Sequence, residues 1–251
     1  MHRIDLNCDM GESYGRFRVG NDKAIMPFIT SANIACGFHG GDPLQIEKTI
    51  RLAKTQGVRI GAHPSYPDLQ GFGRRKMQVP DYELRAILKY QIAALKGLCE
   101  TERLRLEYVK PHGALYHAAM VNFKTTRALL DAILELDPQL QVMGLSGSLL
   151  ESQAKELGIG FIAEGFADRR YVSSGKLQSR KVPGALITDP EEAVEQVLQM
   201  VLANQVPSVE GEQIDVRVDS VCIHGDNPAA LSILQALSEA MERNHIQKIN
   251  S

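Results

Sequence analysis

Cysteine is scarce in this chain. Cys8, Cys36, Cys99 and Cys222 form no C-x-x-C pair, which argues against a disulfide framework and for reduced thiols in a cytoplasmic protein. Cys8, Cys36 and Cys222 read as small buried apolar residues. An excess of either charge is missing too. Lys and Arg number 28 against 30 Asp and Glu, a formal net charge of −2 with no basic tract, which excludes nucleic acid and an anionic membrane surface as expected partners. No stretch approaches the ~18 continuous apolar residues of a membrane span, and the opening MHRIDLNCDMGE lacks an apolar signal region. No G-x-G-x-x-G follows the first strand-like run, and no H-E-x-x-H occurs. Ser174-Gly175-Lys176-Leu177 brushes against a phosphate loop but lacks its upstream glycine and closing hydroxyl. The chain therefore shows no nucleotide site of its own.

What is present is an ordinary globular mixture, 44% hydrophobic and 23% charged over 251 residues, enough for a core that needs no staples. Strand-like runs occur at 3–9, 31–38, 58–63, 106–112, 140–147, 158–166 and 219–225. Most are apolar on both alternations and bounded by Gly or Pro, as in strands covered on both faces. Helical patterns lie between them. Asp42-Pro43, Asp189-Pro190 and Asn227-Pro228 each pair a capping side chain with a proline at the first helical position. Residues 81–99 carry a 3.6-residue apolar stripe, and 122–136 and 148–157 repeat it. Alternating strands and helices predict right-handed βαβ units. An open doubly wound sheet and a closed barrel both fit; without a dinucleotide fingerprint we expect a single seven-stranded (β/α) barrel over residues 1–251. Two long connections, 64–80 and 167–184, are where such a fold keeps function.

Three strand-like runs end in His-Gly: CGFHGGDP (36–43), VKPHGALYH (109–117) and CIHGDNP (222–228). In a barrel the C-terminal strand ends converge on one face. That face would collect Asn7, Asp9 and Glu12 from the first run, Asn33, His39 and Asp42 from the second, and His63 from the third. The fourth supplies Lys110, His112 and Tyr116, the sixth Glu164, Asp168 and Arg169, and the seventh His224 and Asp226. Five of the seven histidines (His39, His63, His112, His117 and His224) lie in or beside these ends. Two chemistries suit the set. Neutral imidazoles with a carboxylate can hold a divalent metal that activates water, with Asp9, His39 and His63 as ligands. Alternatively, Asp9 or a histidine is the general base and Lys110 with backbone N–H groups stabilises an oxyanion. Arg74, Arg75, Arg169 and Arg180 in the long connections suit a carboxylate or phosphate.

The runs DLNCDMGES (5–13), SANIACGFHGGDP (31–43), GAHPSYPDLQGFGRR (61–75), VKPHGALYH (109–117), EGFADRRY (164–171) and CIHGDNP (222–228) closely resemble the LamB/YcsF family. The resemblance spans Asp5 to about Pro228. It implies a glycoside hydrolase/deacetylase-like barrel that serves as the A subunit of the ATP-dependent 5-oxoprolinase. The implied reaction opens the lactam of 5-oxo-L-proline to L-glutamate, coupled to ATP hydrolysis, together with B and C subunits. ATP would be a co-substrate bound by those partners. On this resemblance Asp9, His39, Lys110 and His112 are the expected catalytic residues, and Asn7, Glu12, Arg169, Arg180 and His224 the expected substrate contacts. Metal-dependent deacetylases of the wider superfamily show paired Asp and His-x-x-x-His. Here Asn7 stands beside a single Asp9, and His112 and His117 are five apart. The alternatives are a stand-alone metal-dependent amidohydrolase or deacetylase and a non-catalytic substrate-binding subunit.

Overall fold

The structure, a computed structural model, describes residues 2–249. Seven parallel strands form its centre: β1 (Arg3–Met10), β2 (Ser31–Ala35), β3 (Arg59–His63), β4 (Leu106–Val109), β5 (Gln141–Leu145), β6 (Phe161–Phe166) and, last in the barrel, β9 (Ser220–Ile223). Each pairs with the next, and β9 pairs with both β6 and β1 (Asp5 opposite Ser220, Asn7 opposite Cys222), so the sheet closes on itself. All seven expected strands are there, each shorter than or within a residue of its run, because the final residues of several runs turn into the mouth.

Helices α2 (Pro43–Gln56), α3 (Asp81–Thr101), α5 (Phe123–Leu136), α6 (Leu149–Glu156), α7 (Pro190–Leu198) and α8 (Ala230–Arg243) cover the outside. Asp42 caps α2 by accepting from the Gln45 N–H, and Gly57 ends it at φ 65°, a left-handed position that glycine adopts without a Cβ penalty. The final cap differs from expectation. Asn227-Pro228 forms a turn ahead of α8, and the Asn227 amide donates to Asp168 Oδ2 (3.1 Å) and to the Ile187 carbonyl (3.1 Å). Its Oδ1 meanwhile accepts from the Ala229 N–H (3.0 Å), so one side chain serves both the local turn and the tertiary tie.

Several elements were not anticipated: α1 (Asp22–Ile25), the short helix α4 (Gly113–Ala119), the hairpin β7 (Gln205–Pro207) with β8 (Gln213–Asp215), and β10 (Gln247–Lys248), which pairs with Arg3 and Ile4. No described helix is long and apolar enough to cross a membrane.

The strand alternation separates two environments. Ile4, Leu6, Cys8 and Met10 of β1 face the helices within the main core, with Ile50, Leu88, Ile92 and Leu129 among its members. Asp5, Asn7 and Asp9 face inward. Asp5 accepts from Thr30 and Ser31 (2.6 Å each) and from Ser220. Above this polar floor, Tyr108, Met143 and Ile162 form a small apolar plug.

Candidate functional site

The inward column of β1 ends at Asp9, and neighbouring strands bring partners to it. Lys110, just past β4, places Nζ 3.0 Å from Asp9 Oδ1, 3.1 Å from Asn7 Oδ1, 3.1 Å from Cys222 Sγ and 2.7 Å from Glu164 Oε1. Asn33 donates to both Asp9 Oδ1 and Asn7 Oδ1 (2.8 Å each) while accepting from the Tyr108 hydroxyl (2.7 Å). The Asn7 amide donates to Ser220 Oγ (2.7 Å). Asn7 is fully buried with its polar atoms engaged, so it sets the height of Lys110 from below.

Electrostatics follow from this packing. Burial opposes the charge on Asp9, but His63 and Lys110 outweigh it and hold the carboxyl well below the usual carboxylate range. Burial likewise works against Lys110, yet Asp9, Cys222 and Glu164 push its ammonium well above the ordinary lysine range. Glu12 goes the other way: burial first, then the Asp9 charge, raise it well above the usual value. Two nearby acids driven apart in this way divide the roles of ionised carboxylate and proton-bearing acid.

A second layer lies between Asp9 and the long connection after β3. His63 Nδ1 lies 2.7 Å from the Lys110 carbonyl and His112 Nε2 lies 2.9 Å from the Phe72 carbonyl. A carbonyl only accepts, so both nitrogens carry protons. The nitrogens left over, His63 Nε2 and His112 Nδ1, face each other at 3.0 Å, with Asp9 Oδ2 3.3 Å from the first and Glu12 Oε1 3.5 Å from the second. Two bare lone pairs at that distance repel, so this gap is built for a proton or a cation. His39 Nε2 pairs with Glu12 Oε1 at 3.0 Å. Burial, then the neighbouring His63, lowers His39 well below the ordinary imidazole range, and burial and His39 do the same to His112.

Glu12, His39, His63 and His112 each bring one donor atom to within 4.8 Å of the others. Glutamate with histidines is the composition of a divalent-metal site. Glu12, rather than the expected Asp9, completes this group; Asp9 instead groups with Cys222 and His224. Ring direction limits what the four can do together. His39 and His112 stack at 3.7 Å with planes 5° apart. Imidazole lone pairs lie in the ring plane, so one ion cannot lie in both planes. Glu12, His63 and one of the stacked pair are the set that fits, a three-ligand arrangement with a position left open.

The loop over this layer was legible only as a long connection. Phe72 stands edge-on to His39 and His112 (5.5 and 5.3 Å between centroids). Its φ of 52° turns the carbonyl onto His112, in a region few non-glycine residues occupy. Gln91 of α3 clamps the loop's base, accepting from Ser65 N (2.9 Å) and donating to Ser65 O (2.8 Å). Neither role leaves a local signal in sequence.

His224 completes the opposite wall. Its Nδ1 donates to Asp168 Oδ1 (2.8 Å), and its backbone N–H donates to Asp168 Oδ2 (3.1 Å). That fixes the ring with Nε2 free, on the side of the group it forms with Asp9 and Cys222. Burial opposes the charge on Asp168, but His224 and the hydrogen bonds from His224 and Asn227 together outweigh it and keep the carboxyl below its usual range. Arg169 is buried, with Nη2 donating to the Gln178 carbonyl (2.6 Å). Arg180 stands at the rim, 3.7 Å from Asp226. Asp9, Lys110, His63, His39, His112 and Glu12 are thus one contiguous cluster, His224 adjoins it, and the two arginines stand apart from it.

The glycines after the three histidines serve the backbone. A Cβ at Gly40 would lie 2.7 Å from the Glu12 carbonyl, at Gly113 2.5 Å from the Gly73 carbonyl, and at Gly225 2.5 Å from the Asp9 carbonyl. Gly225→Ala should therefore displace Asp9 and lower kcat by roughly 10²-fold. Steady-state kinetics beside a thermal melt check this, and unchanged kcat would refute the contact's importance.

A model of the LamB/YcsF family matches residues 4–251. The chain belongs to this family. It is 44% identical over 249 residues to the 5-oxoprolinase A subunit of Clostridium beijerinckii, covering 99% of this chain and 98% of that one. A crystal structure of a lactam utilization protein from Thermus thermophilus superposes with a TM-score of 0.94 at 44% identity, covering 99% of this chain and 100% of that one. The catalytic domain of a peptidoglycan N-acetylglucosamine deacetylase from Eubacterium rectale reaches a TM-score of 0.53 at 9% identity, covering 100% of this chain and 88% of that one. That likeness shows the deacetylase-type barrel alone.

Proposed function

We propose that this LamB/YcsF chain is the A subunit of a 5-oxoprolinase and performs the ring opening of 5-oxo-L-proline to L-glutamate. The observation that carries the reading is the ionised Asp9 held between Lys110 and His63 at the floor of the mouth, in a chain whose full-length relatives bear that name. A lactam carbonyl is a poor electrophile. Transfer of a phosphoryl group from ATP to its oxygen makes C5 attackable, and with no phosphate loop in this sequence that step belongs to B and C partner subunits.

The chemistry left to this chain is hydrolytic. Water adds to C5 and loses a proton, C5–N breaks as the nitrogen takes up a proton, and a second water hydrolyses the resulting γ-glutamyl phosphate to L-glutamate and inorganic phosphate. Asp9 accepts the proton of water, directly or through His63, 3.3 Å away. Lys110 already has four neighbours, so it offers developing negative charge its field rather than a free N–H. His39 and His112 position the water, and Glu12 and His224, with Asn7 beneath them, shape the pocket around the ring. Arg169 or Arg180 takes an anionic group of the substrate. If a divalent ion is used, Glu12 and His63 with His39 or His112 would hold it, and it would supply a more acidic bound water.

Two measurements test this. Glutamate release from 5-oxoproline and ATP with the B and C subunits should require this chain; full release without it overturns the proposal. Elemental analysis of protein purified without chelator should give near-integral zinc or another divalent ion if the metal version operates, and a content near zero removes that version only.

A further inference from the structure

The apolar side chains left in water are unevenly placed. Helices return antiparallel to the barrel strands, so each strand-to-helix connection and the first turn after it lie on the side of the mouth. Of twelve exposed large apolar residues among those described, nine fall there and three elsewhere. Phe17, in the connection after β1, is 77% exposed, and Tyr82, in the first turn of α3, is 72% exposed. Leu44, Leu69, Met77 and Phe123 belong to the same side. Scattered singly, such residues need no explanation; gathered on one face they mark a contact surface.

Charge is sorted the same way. The connections 11–21, 64–80 and 167–188 hold nine lysines and arginines outside the core, while their acids, Glu12, Asp68 and Asp168, are buried. Four of the nine are matched: Arg75 by Asp68, Arg170 by Glu192, and Arg74 and Arg180 by Asp226. The other five, Arg16, Arg18, Lys76, Lys176 and Lys181, pair with no carboxylate among the described residues. Most remaining acids of this side, Asp81, Glu83 and Glu191 among them, sit in first helical turns, where the helix dipole favours them. The opposite end is balanced: Glu102 takes Arg51 and Lys54, and Lys96 takes Asp137. The mouth loops also join into one surface. Gly15 N donates to Asp42 at the start of α2 (2.8 Å), and Arg74 and Arg180 meet over Asp226.

Exposed aromatics and methionine beside arginines are the side chains that interface centres concentrate. Five unmatched cations call for acidic groups on whatever covers them. A chain whose relatives are named as one subunit of an enzyme has a partner to receive. We infer that the mouth face docks a partner subunit that presents an acidic surface with an apolar patch. Phe17 and Tyr82 are among its apolar contacts, and the unmatched cations are its charged ones. The partner then stands over Asp9 and Lys110, and the balanced opposite end stays free. That the partner is a 5-oxoprolinase subunit rests on the reading above; the position and chemistry of the face do not.

The test is association of the full chain with purified B and C subunits, read by biolayer interferometry at low and high salt. Phe17→Ser combined with Tyr82→Ser should raise Kd about tenfold or more. Lys76→Glu combined with Lys181→Glu should slow association about tenfold at low salt and much less at high salt. Arg105→Glu, exposed at the opposite end, should change neither. All five side chains are exposed, so melts near the wild type are expected. Association that survives both double variants, or that Arg105→Glu abolishes, overturns the mouth face as the docking surface. No association at either salt overturns it as well. Self-association of the chain that the Phe17 and Tyr82 substitutions abolish makes the occupant a second copy and overturns the partner assignment. Subunit binding that needs the mouth face, in a chain dispensable for glutamate formation, sinks the ring-opening reading while the surface stands.

Discussion

Lys110→Met should lower the melting temperature by roughly 6–20 °C. The variant leaves Asp9 and Glu164 buried without the cation that both now touch. Removing one partner of a buried ion pair costs about 3–5 kcal/mol, and each kcal/mol is worth ~2–4 °C in a domain of this size. The loss carries a pH signature. In the wild type the depressed Asp9 contributes stability above its unfolded value, lost as pH falls through the folded one. Without Lys110 the Asp9 carboxyl loses one of the cations that offset burial, so its folded value rises. A raised carboxyl is tolerated at low pH and costs stability as pH climbs. The deficit should therefore be larger near pH 8 than near pH 5, as read by paired thermal melts. A deficit equal at both would show that packing of the lysine stem, and not its charge, is what matters.

Asp9→Asn keeps the size of the side chain and removes its charge, so the expected loss is in rate. Glutamate formation by the complex with its partners should fall by roughly 10²–10⁴-fold, the usual contribution of a positioned base, with a smaller effect on KM. Asn33 can still reach the new side chain's oxygen, so the fold should survive, and a near-native melt would separate chemistry from collapse. Turnover within a few-fold of wild type would remove Asp9 from the reaction.

The seven barrel strands were legible because burial on both faces leaves apolar runs bounded by Gly and Pro, a signal that needs no partner to interpret. Helices α2, α3, α5, α6 and α7 were legible from period and caps. The hairpin β7–β8 leaves no readable pattern in sequence because its two strands are three residues each, too short to show an alternation. Helix α4 was hidden because His112-Gly113 read as the end of a strand, while only the approach of Gly113 to the Gly73 carbonyl shows why the chain turns there.

Sequence by itself determined the architecture, the convergence of acids and histidines at one mouth, and the family, since composition, period and motif are properties of the chain alone. Tertiary structure alone decided the partnerships: Glu12 with the histidines in place of Asp9, Tyr108 behind Asn33, Asp168 behind His224, and Arg169 buried without a carboxylate. Each depends on distances between strands far apart in the chain. A shift of a few ångströms separates a paired charge from a stranded one, and residue order does not encode such a shift locally.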